Sequence, residues 1–245
     1  ICGAGVSSPE KYVSEPVETM LSNITGVKNI LEYAKGKNVK RTIYISSSEI
    51  YGKKQTDDQF AEGTYGTVDL DSIRSSYAVA KQASELLCKS FASEYAVNTV
   101  IVRPGHVFGP TASKTDKRIS SDFAFKAASG IPLEMKSSGL QKRSYCYSID
   151  AAVAILVVLL KGKMGEAYNI CTDETMTIRE MAEICAQAGN VSLSYVKPTK
   201  KEVSVFNPMN NSSLSFDKLK TLGFRPMFTA KDGMVHTVQI LSENC

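Results

Sequence analysis

What most constrains this chain is an alternation in its first half: a long amphipathic pattern, a short β-branched run, then the same two again. Residues 16–35 place Val17, Leu21, Ile24, Val27, Ile30 and Leu31 at steps of three and four. That spacing predicts a helix with one apolar face, and Gly36 closes it. Residues 41–45, Arg-Thr-Ile-Tyr-Ile, read as a short buried strand. A polar loop with paired acids and glycines runs over 53–75. Residues 77–95 form a second amphipathic pattern and 98–103 a second strand, closed by Pro104 and Gly105. Such alternation predicts an α/β fold with a doubly wound parallel sheet and helices on both faces. Ligands of such sheets sit at the carboxyl ends of the strands. Segments 46–52 and 104–110 leave those ends and therefore border the expected site.

Beyond Pro110 the pattern changes to shorter elements. Helices are expected at 121–129, 150–160, 178–189, from Phe216, and near 233–241, with strands at 133–136 and 166–171. The longest apolar run, 151–160, is far short of the ~20 residues of a membrane span. It reads as a buried helix, and no membrane association is expected. With 245 residues, two interleaved units are expected. Residues 1–110 carry the catalytic groups, and 111–245 form a smaller α/β unit whose segment 144–171 packs back on the first. The net charge is only +4 and scattered, which argues against nucleic acid as a partner. The basic cluster at 197–201 reads as a solvated loop. Six cysteines are widely spaced without a CxxC, which suits reduced thiols and a cytoplasmic location. Neither His106 nor His236 falls in a ligand pattern, so no metal site is expected.

Three segments carry chemistry. Tyr77-Ala-Val-Ala-Lys81 sets a tyrosine and a lysine one helical turn apart on one face. Ser46-Ser-Ser-Glu-Ile-Tyr-Gly52 places hydroxyls and a carboxylate where the first strand ends. Arg103-Pro-Gly-His-Val-Phe-Gly-Pro110 follows the second strand and, on local chemistry alone, is a Pro/Gly turn.

Taken in order and spacing, these segments resemble the extended short-chain dehydrogenases/reductases, the NAD-dependent epimerase/dehydratase type, along essentially the whole chain. The closest look is to UDP-glucuronate decarboxylases. Ser8-Pro9, Tyr12, Pro16, Thr19, Asn23 and Gly26 resemble their segment without a gap, and Asp116, Arg118, Ser121 and Phe123 and the stretch Lys142-Arg143-Ser-Tyr-Cys-Tyr147 are similar to theirs. Two positions depart: His106 stands where relatives carry an asparagine that meets the substrate phosphate, and Cys2 where they often have histidine.

The resemblance implies a Rossmann-type fold, NAD as cofactor and a nucleotide-diphosphate sugar as substrate. It implies Tyr77, Lys81, Ser47 and Glu49 as catalytic residues. Ala4, Ser46, Tyr77, Lys81 and Pro104 would contact the cofactor, and Tyr12, Ser48, His106, Arg118 and Arg143 the substrate. It also implies a homodimer through a four-helix bundle, with Gly26, Ile30, Leu86 and Leu87 as contacts. The reaction expected is UDP-glucuronate decarboxylation through a 4-keto intermediate. Sugar 4,6-dehydration, 4-epimerisation and an inactive fragment of such an enzyme stay open as alternatives. The family's opening strand–GxxGxxG–helix does not occur here, so the expectation is that the first βα units of the sheet, roughly seventy residues, are missing.

Overall fold

The computed structural model describes residues 1–3, 5–37, 39–110, 116, 118–199 and 211–243. Strands β1 (Thr42–Ile45), β2 (Thr99–Pro104) and β7 (Ala167–Ile170) form a parallel sheet in the order β1-β2-β7. Tyr44 lies opposite Ile101, and Val102 opposite Tyr168. On the far side of β1, Cys2 extends the parallel pairing: its N–H donates to Ile43 O (2.7 Å), and its carbonyl accepts from Ile45 N (2.9 Å).

Successive strand residues point to opposite faces, and both faces are covered. Tyr44 and Ile101 pack with Val27, Leu31, Cys88 and Phe91, which belong to α2 (Pro16–Gly36) and α3 (Ser76–Tyr95). Ile43, Val100, Val102 and Ile170 pack on the opposite face with Ala151, Ala154 and Val158, which lie on α5 (Ser148–Lys161).

Two readings of the sequence need correction here. The run 151–160 is not a wholly buried helix: Leu156 and Leu160 are 51% and 78% exposed. Only the stripe at steps of three and four reaches the sheet, so a uniformly apolar run still has a solvent side. On α2 the inward face is Thr19, Asn23, Val27, Leu31 and Ala34, while Val17 and Leu21 are exposed. Thr19 and Asn23 are tolerated inside because their donors are used, although Asn23 Oδ1 stays without a partner. Thr19 Oγ1 donates to Lys11 O (3.2 Å), and Asn23 Nδ2 donates to Thr19 O (2.8 Å) and Val6 O (3.1 Å). The acceptors at Lys11 and Val6 lie in the segment around α1 (Pro9–Ser14), a short helix that periodicity did not indicate.

The rest of the chain builds a second core. Segment 104–110 is more than a turn, for β3 (His106–Phe108) pairs in parallel with β6 (Tyr145–Tyr147). Helices α4 (Ile119–Ala128), α6 (Ile178–Ala188) and α8 (Ala230–Ser242) pack together. Phe123, Ala127, Met181, Cys185, Met234 and Val238 fill the space between them. Strand β4 (Leu133–Met135) pairs with β9 (Leu193–Tyr195). Strand β5 (Lys142–Arg143) lies between β10 (Asn211–Ser212) and β8 (Met176–Thr177). A one-turn helix, α7 (Asp217–Thr221), precedes α8.

The two layers of the first core are tied by a buried ion pair. Arg103, fully buried at the end of β2, meets Glu85 of α3 through Nε (3.0 Å) and Nη2 (2.7 Å). Its Nη1 donates to Tyr51 Oη (2.9 Å) and Glu62 O (2.8 Å). Because Glu85 is one turn beyond Lys81, this pair sets where the Tyr77–Lys81 stretch sits against the strand ends.

Candidate active site

The chain leaves β1 in a 3-10 turn, Ser48–Tyr51, capped by Ser47, whose Oγ accepts from Glu49 N (3.2 Å). Gly52 ends the turn with φ 66°, where a Cβ would lie 2.5 Å from Thr67 O, so only glycine fits. Ser47 and Glu49, two residues apart, are thereby held rigidly at the carboxyl end of β1. Facing them is the start of α3, preceded by a 3-10 turn, Ile73–Ser75.

Tyr77 is 6% exposed. Burial pushes its hydroxyl pKa up; the neighbouring Ser47 and Tyr12 hydroxyls and the charge of Arg118 oppose that rise, and Glu49 adds to it. The Tyr12 ring stacks on Tyr77, with centroids 4.2 Å apart and planes 6° apart. Lys81 sits on the same face of α3, with Nζ donating to Ile45 O (2.9 Å) and lying 5.7 Å from the Tyr77 ring centre. Its burial pulls the ammonium down to about 8, against the pull of Cys2, Glu85 and Cys88. A lysine one helical turn away is the expected source of a lowered tyrosine pKa, but the groups opposing burial at Tyr77 are Ser47, Tyr12 and Arg118.

Sequence reasoning missed Arg74. Its guanidinium meets both oxygens of Glu49, Nη1 to Oε2 at 2.9 Å and Nη2 to Oε1 at 3.2 Å, and lies 5.7 Å from the Tyr12 ring centre. The available signal was its position three residues before Tyr77, the step that puts two side chains on one helical face.

A second group lies across β3, β5 and β6. Arg143 is 3% exposed, and its Nη1 donates to Lys142 O (2.9 Å). Among the described residues no carboxylate pairs with it, and burial lowers its pKa. A buried guanidinium without a counter-charge is costly unless an anion arrives. His106 stands close by, edge-on to Tyr145 with ring centres 5.6 Å apart. Burial, reinforced by the charges of Arg143 and Arg118, pushes its imidazole down to about 3, so it is neutral. Its Nδ1 is buried without a partner.

Arg118 is placed differently from Arg143. It is half exposed, and Nε and Nη2 are taken by Asp116, two residues earlier. Its charge nevertheless reaches Tyr77 and His106.

The remaining expected contacts fall as follows. Ser46 is buried, its Oγ without a partner, next to the Ile45 carbonyl that holds Lys81. Ser48 is buried, and Pro104 ends β2 half-buried. Ala4 lies outside the described residues. The orphaned Ser46 hydroxyl and the Lys81 ammonium, together at a strand end, fit the polar edge of a dinucleotide such as NAD. No group of metal-ligating side chains occurs among the described residues, and none of their helices is long and apolar enough to cross a membrane.

A sequence profile of the NAD dependent epimerase/dehydratase family matches residues 1–171. The chain is 31% identical over 187 residues to UDP-glucuronic acid decarboxylase 3 of Arabidopsis thaliana, covering 76% of this chain and 54% of that protein. It is 28% identical over 232 residues to human dTDP-D-glucose 4,6-dehydratase, covering 91% of this chain and 62% of the relative. Among solved structures, UDP-glucose 4-epimerase of Thermotoga maritima superposes with a TM-score of 0.86 at 24% identity, over 98% of this chain and 76% of that one. This last likeness shows a shared Rossmann-type fold. The chain spans between 32% and 65% of the length of these and similar curated relatives.

Proposed function

The chain belongs to the NAD-dependent epimerase/dehydratase family, and from that premise we propose that it modifies a nucleotide-diphosphate sugar through a 4-keto intermediate, removing CO2 from a UDP-glucuronate-type sugar. The observation that carries this reading is that Tyr77 and Lys81 share one face of α3, with Lys81 bonded to the end of β1, and that this face meets the turn carrying Ser47 and, two residues on, Glu49.

Ser46, Lys81 and Pro104 would hold the cofactor, with Tyr77 beside it. The chemistry that NAD supplies when bound is removal of a hydride from the sugar C4 and its later return. Ser47 hydrogen-bonds the C4 hydroxyl and fixes its direction. Tyr77 takes the hydroxyl proton as general base and gives it back at the end. Its ring is held by the Tyr12 stack, and Tyr12 must yield to the sugar. Lys81, bonded to the Ile45 carbonyl, supplies a donor and positive charge at the cofactor's edge on the same helical face. Arg143 takes the diphosphate, where its guanidinium finds the anion it lacks. Neutral His106 donates a hydrogen bond beside it, and Arg118 adds charge at the rim. Tyr12 and Ser48 bound the sugar.

With a ketone at C4, a carboxylate on C5 becomes that of a β-keto acid. The bond from C5 to the carboxyl carbon breaks, its electrons pass into the C4–C5 enolate, and CO2 leaves. Glu49 relays a proton from water to C5. A simple 4-epimerase only turns the ketone over and has no work for Glu49.

Residues 1–110 form the cofactor side of this arrangement and 111–245 the sugar-nucleotide side, with 144–171 returning to the first. The cysteines Cys88, Cys146 and Cys185 are free, buried thiols, which suits a reducing cytoplasm. Val17, Leu21 and Leu86, exposed on α2 and α3, suit a homodimer. Of the contacts expected from sequence, Leu86 is exposed, whereas Ile30 and Leu87 pack partly inward.

The test is product analysis by mass spectrometry of the full-length protein with UDP-glucuronate, UDP-glucose and dTDP-glucose. Loss of CO2 from UDP-glucuronate is expected. In Glu49→Gln the 4-keto sugar should accumulate, because Tyr77, Lys81 and Ser47 remain. Normal turnover by that variant would replace decarboxylation with 4-epimerisation.

A further inference from the structure

Two rungs join the turn after β1 to the start of α3. One is the approach of Ser47 to Tyr77, close enough to act on its hydroxyl, the pair that handles the C4 hydroxyl in the reading above. The other is Glu49 with Arg74. The spacing of two residues on one side and three on the other sets both rungs side by side. Arg74 sits in the turn Ile73–Ser75, which runs without a break into α3, so it shares one rigid piece with Tyr77. That piece is itself held, since Ser76 Oγ donates to Tyr12 O (3.1 Å).

We propose that Arg74 is the positioning residue that fixes Glu49 for the step at C5, so that the second stage of the reaction is held in register with the first. The inference rests on the assignment of Glu49 to that step. Its physical basis is the geometry of the fork. A guanidinium that meets both oxygens of a carboxylate fixes its plane as well as its distance, which an ammonium does not do. The pair is shielded, with side chains only 15% and 20% exposed, so it escapes the screening that makes surface pairs weak. Among the described residues Glu49 is the only carboxylate that the Arg74 guanidinium meets, and Arg74 Nε is buried without an acceptor. The Tyr12 ring beside the guanidinium, itself stacked on Tyr77, closes the group of four. Arg74 has no part in taking the C4 proton. Its loss should therefore spare substrate binding and the first stage while slowing the second.

The experiment uses the full-length protein with UDP-glucuronate and compares wild type, Arg74→Lys and Arg74→Met. It reads KM, kcat, and the fraction of sugar nucleotide present as the 4-ketone by mass spectrometry. Misplacement of a reacting group by an ångström costs roughly a hundredfold. For Arg74→Met the expected result is a kcat lower by roughly ten- to a hundredfold, a KM within about threefold of wild type, and accumulation of the 4-ketone. Arg74→Lys should recover part of kcat, since it restores charge without the fork. Wild-type kcat in either variant overturns the proposal. So does a joint loss of KM, kcat and ketone formation in the folded lysine variant, which would make Arg74 a structural residue only. A wild type that takes no CO2 from UDP-glucuronate overturns the reaction reading itself, and the role given to Arg74 falls with it.

Discussion

Replacing Lys81 with methionine should make the protein more stable near neutral pH while destroying its chemistry. Lys81 is 5% exposed, and its pKa falls from 10.5 in the unfolded chain to about 8 in the folded one. At 1.36 kcal/mol for each pH unit, the buried charge costs about 3 kcal/mol. This cost is fully present below pH about 8. Between about 8 and 10.5 the unfolded chain holds the proton that the folded one has released, so stability rises with pH across that window and the cost disappears. Methionine keeps the apolar stem but gives up the bond to Ile45 O, a loss of about 1–2 kcal/mol. The variant should therefore gain about 1–2 kcal/mol near pH 7. That advantage should shrink as pH rises through 8 and reverse by about pH 10.5. Urea unfolding of both proteins at a series of pH values measures the difference directly, because titrations shared by the two cancel. A difference that stays flat from pH 7 to 10 would refute the reasoning, since a packing effect carries no such slope.

Three further outcomes follow from the same geometry. Tyr77→Phe keeps the stack on Tyr12 and loses the proton acceptor, so turnover should fall by roughly 10²–10⁴-fold with the unfolding midpoint nearly unchanged; wild-type rates in the full-length variant would sink the mechanism. Glu85→Ala strands the fully buried Arg103 guanidinium and should cost about 3–5 kcal/mol in urea unfolding, whereas a loss under about 1 kcal/mol would show that the pair is not a structural anchor. Leu86→Asp places a charge on the exposed face of α3 and should turn a dimer into a monomer in sedimentation at micromolar concentration; a wild type that is already monomeric removes the dimer assignment.

The reach of the sequence depended on whether a signal was local or shared between distant segments. Tyr77 and Lys81 were legible because one helix carries both at a fixed step. Ser47 and Glu49 were legible because a strand end delivers them together. Arg74 was not, because its partner Glu49 is twenty-five residues away and a loop arginine looks like surface charge until the fold closes. The same holds for β3, β5, β8 and β10, strands of two or three residues. Runs so short show no periodicity, and they exist only because a partner strand satisfies their backbone groups.

The two expected diphosphate arginines show why residue type alone does not define a site. The sequence already favoured Arg143 over Arg118, for which surface charge was as good a reading. Arg118 has a carboxylate two residues away and turns back on it, so its half-exposed guanidinium already has a counter-ion. Arg143 sits inside β5, and among the described residues no carboxylate pairs with it and one backbone carbonyl accepts from it. Desolvation makes the second arginine the stronger anion seeker, since an approaching phosphate displaces little water and no existing counter-ion. Truncating Arg143 should accordingly weaken nucleotide-diphosphate binding far more than truncating Arg118. Neutral His106 beside it can donate a hydrogen bond without adding a second buried charge. That pairing of one bare cation with one neutral donor gives an anion two contacts at the desolvation cost of one charge.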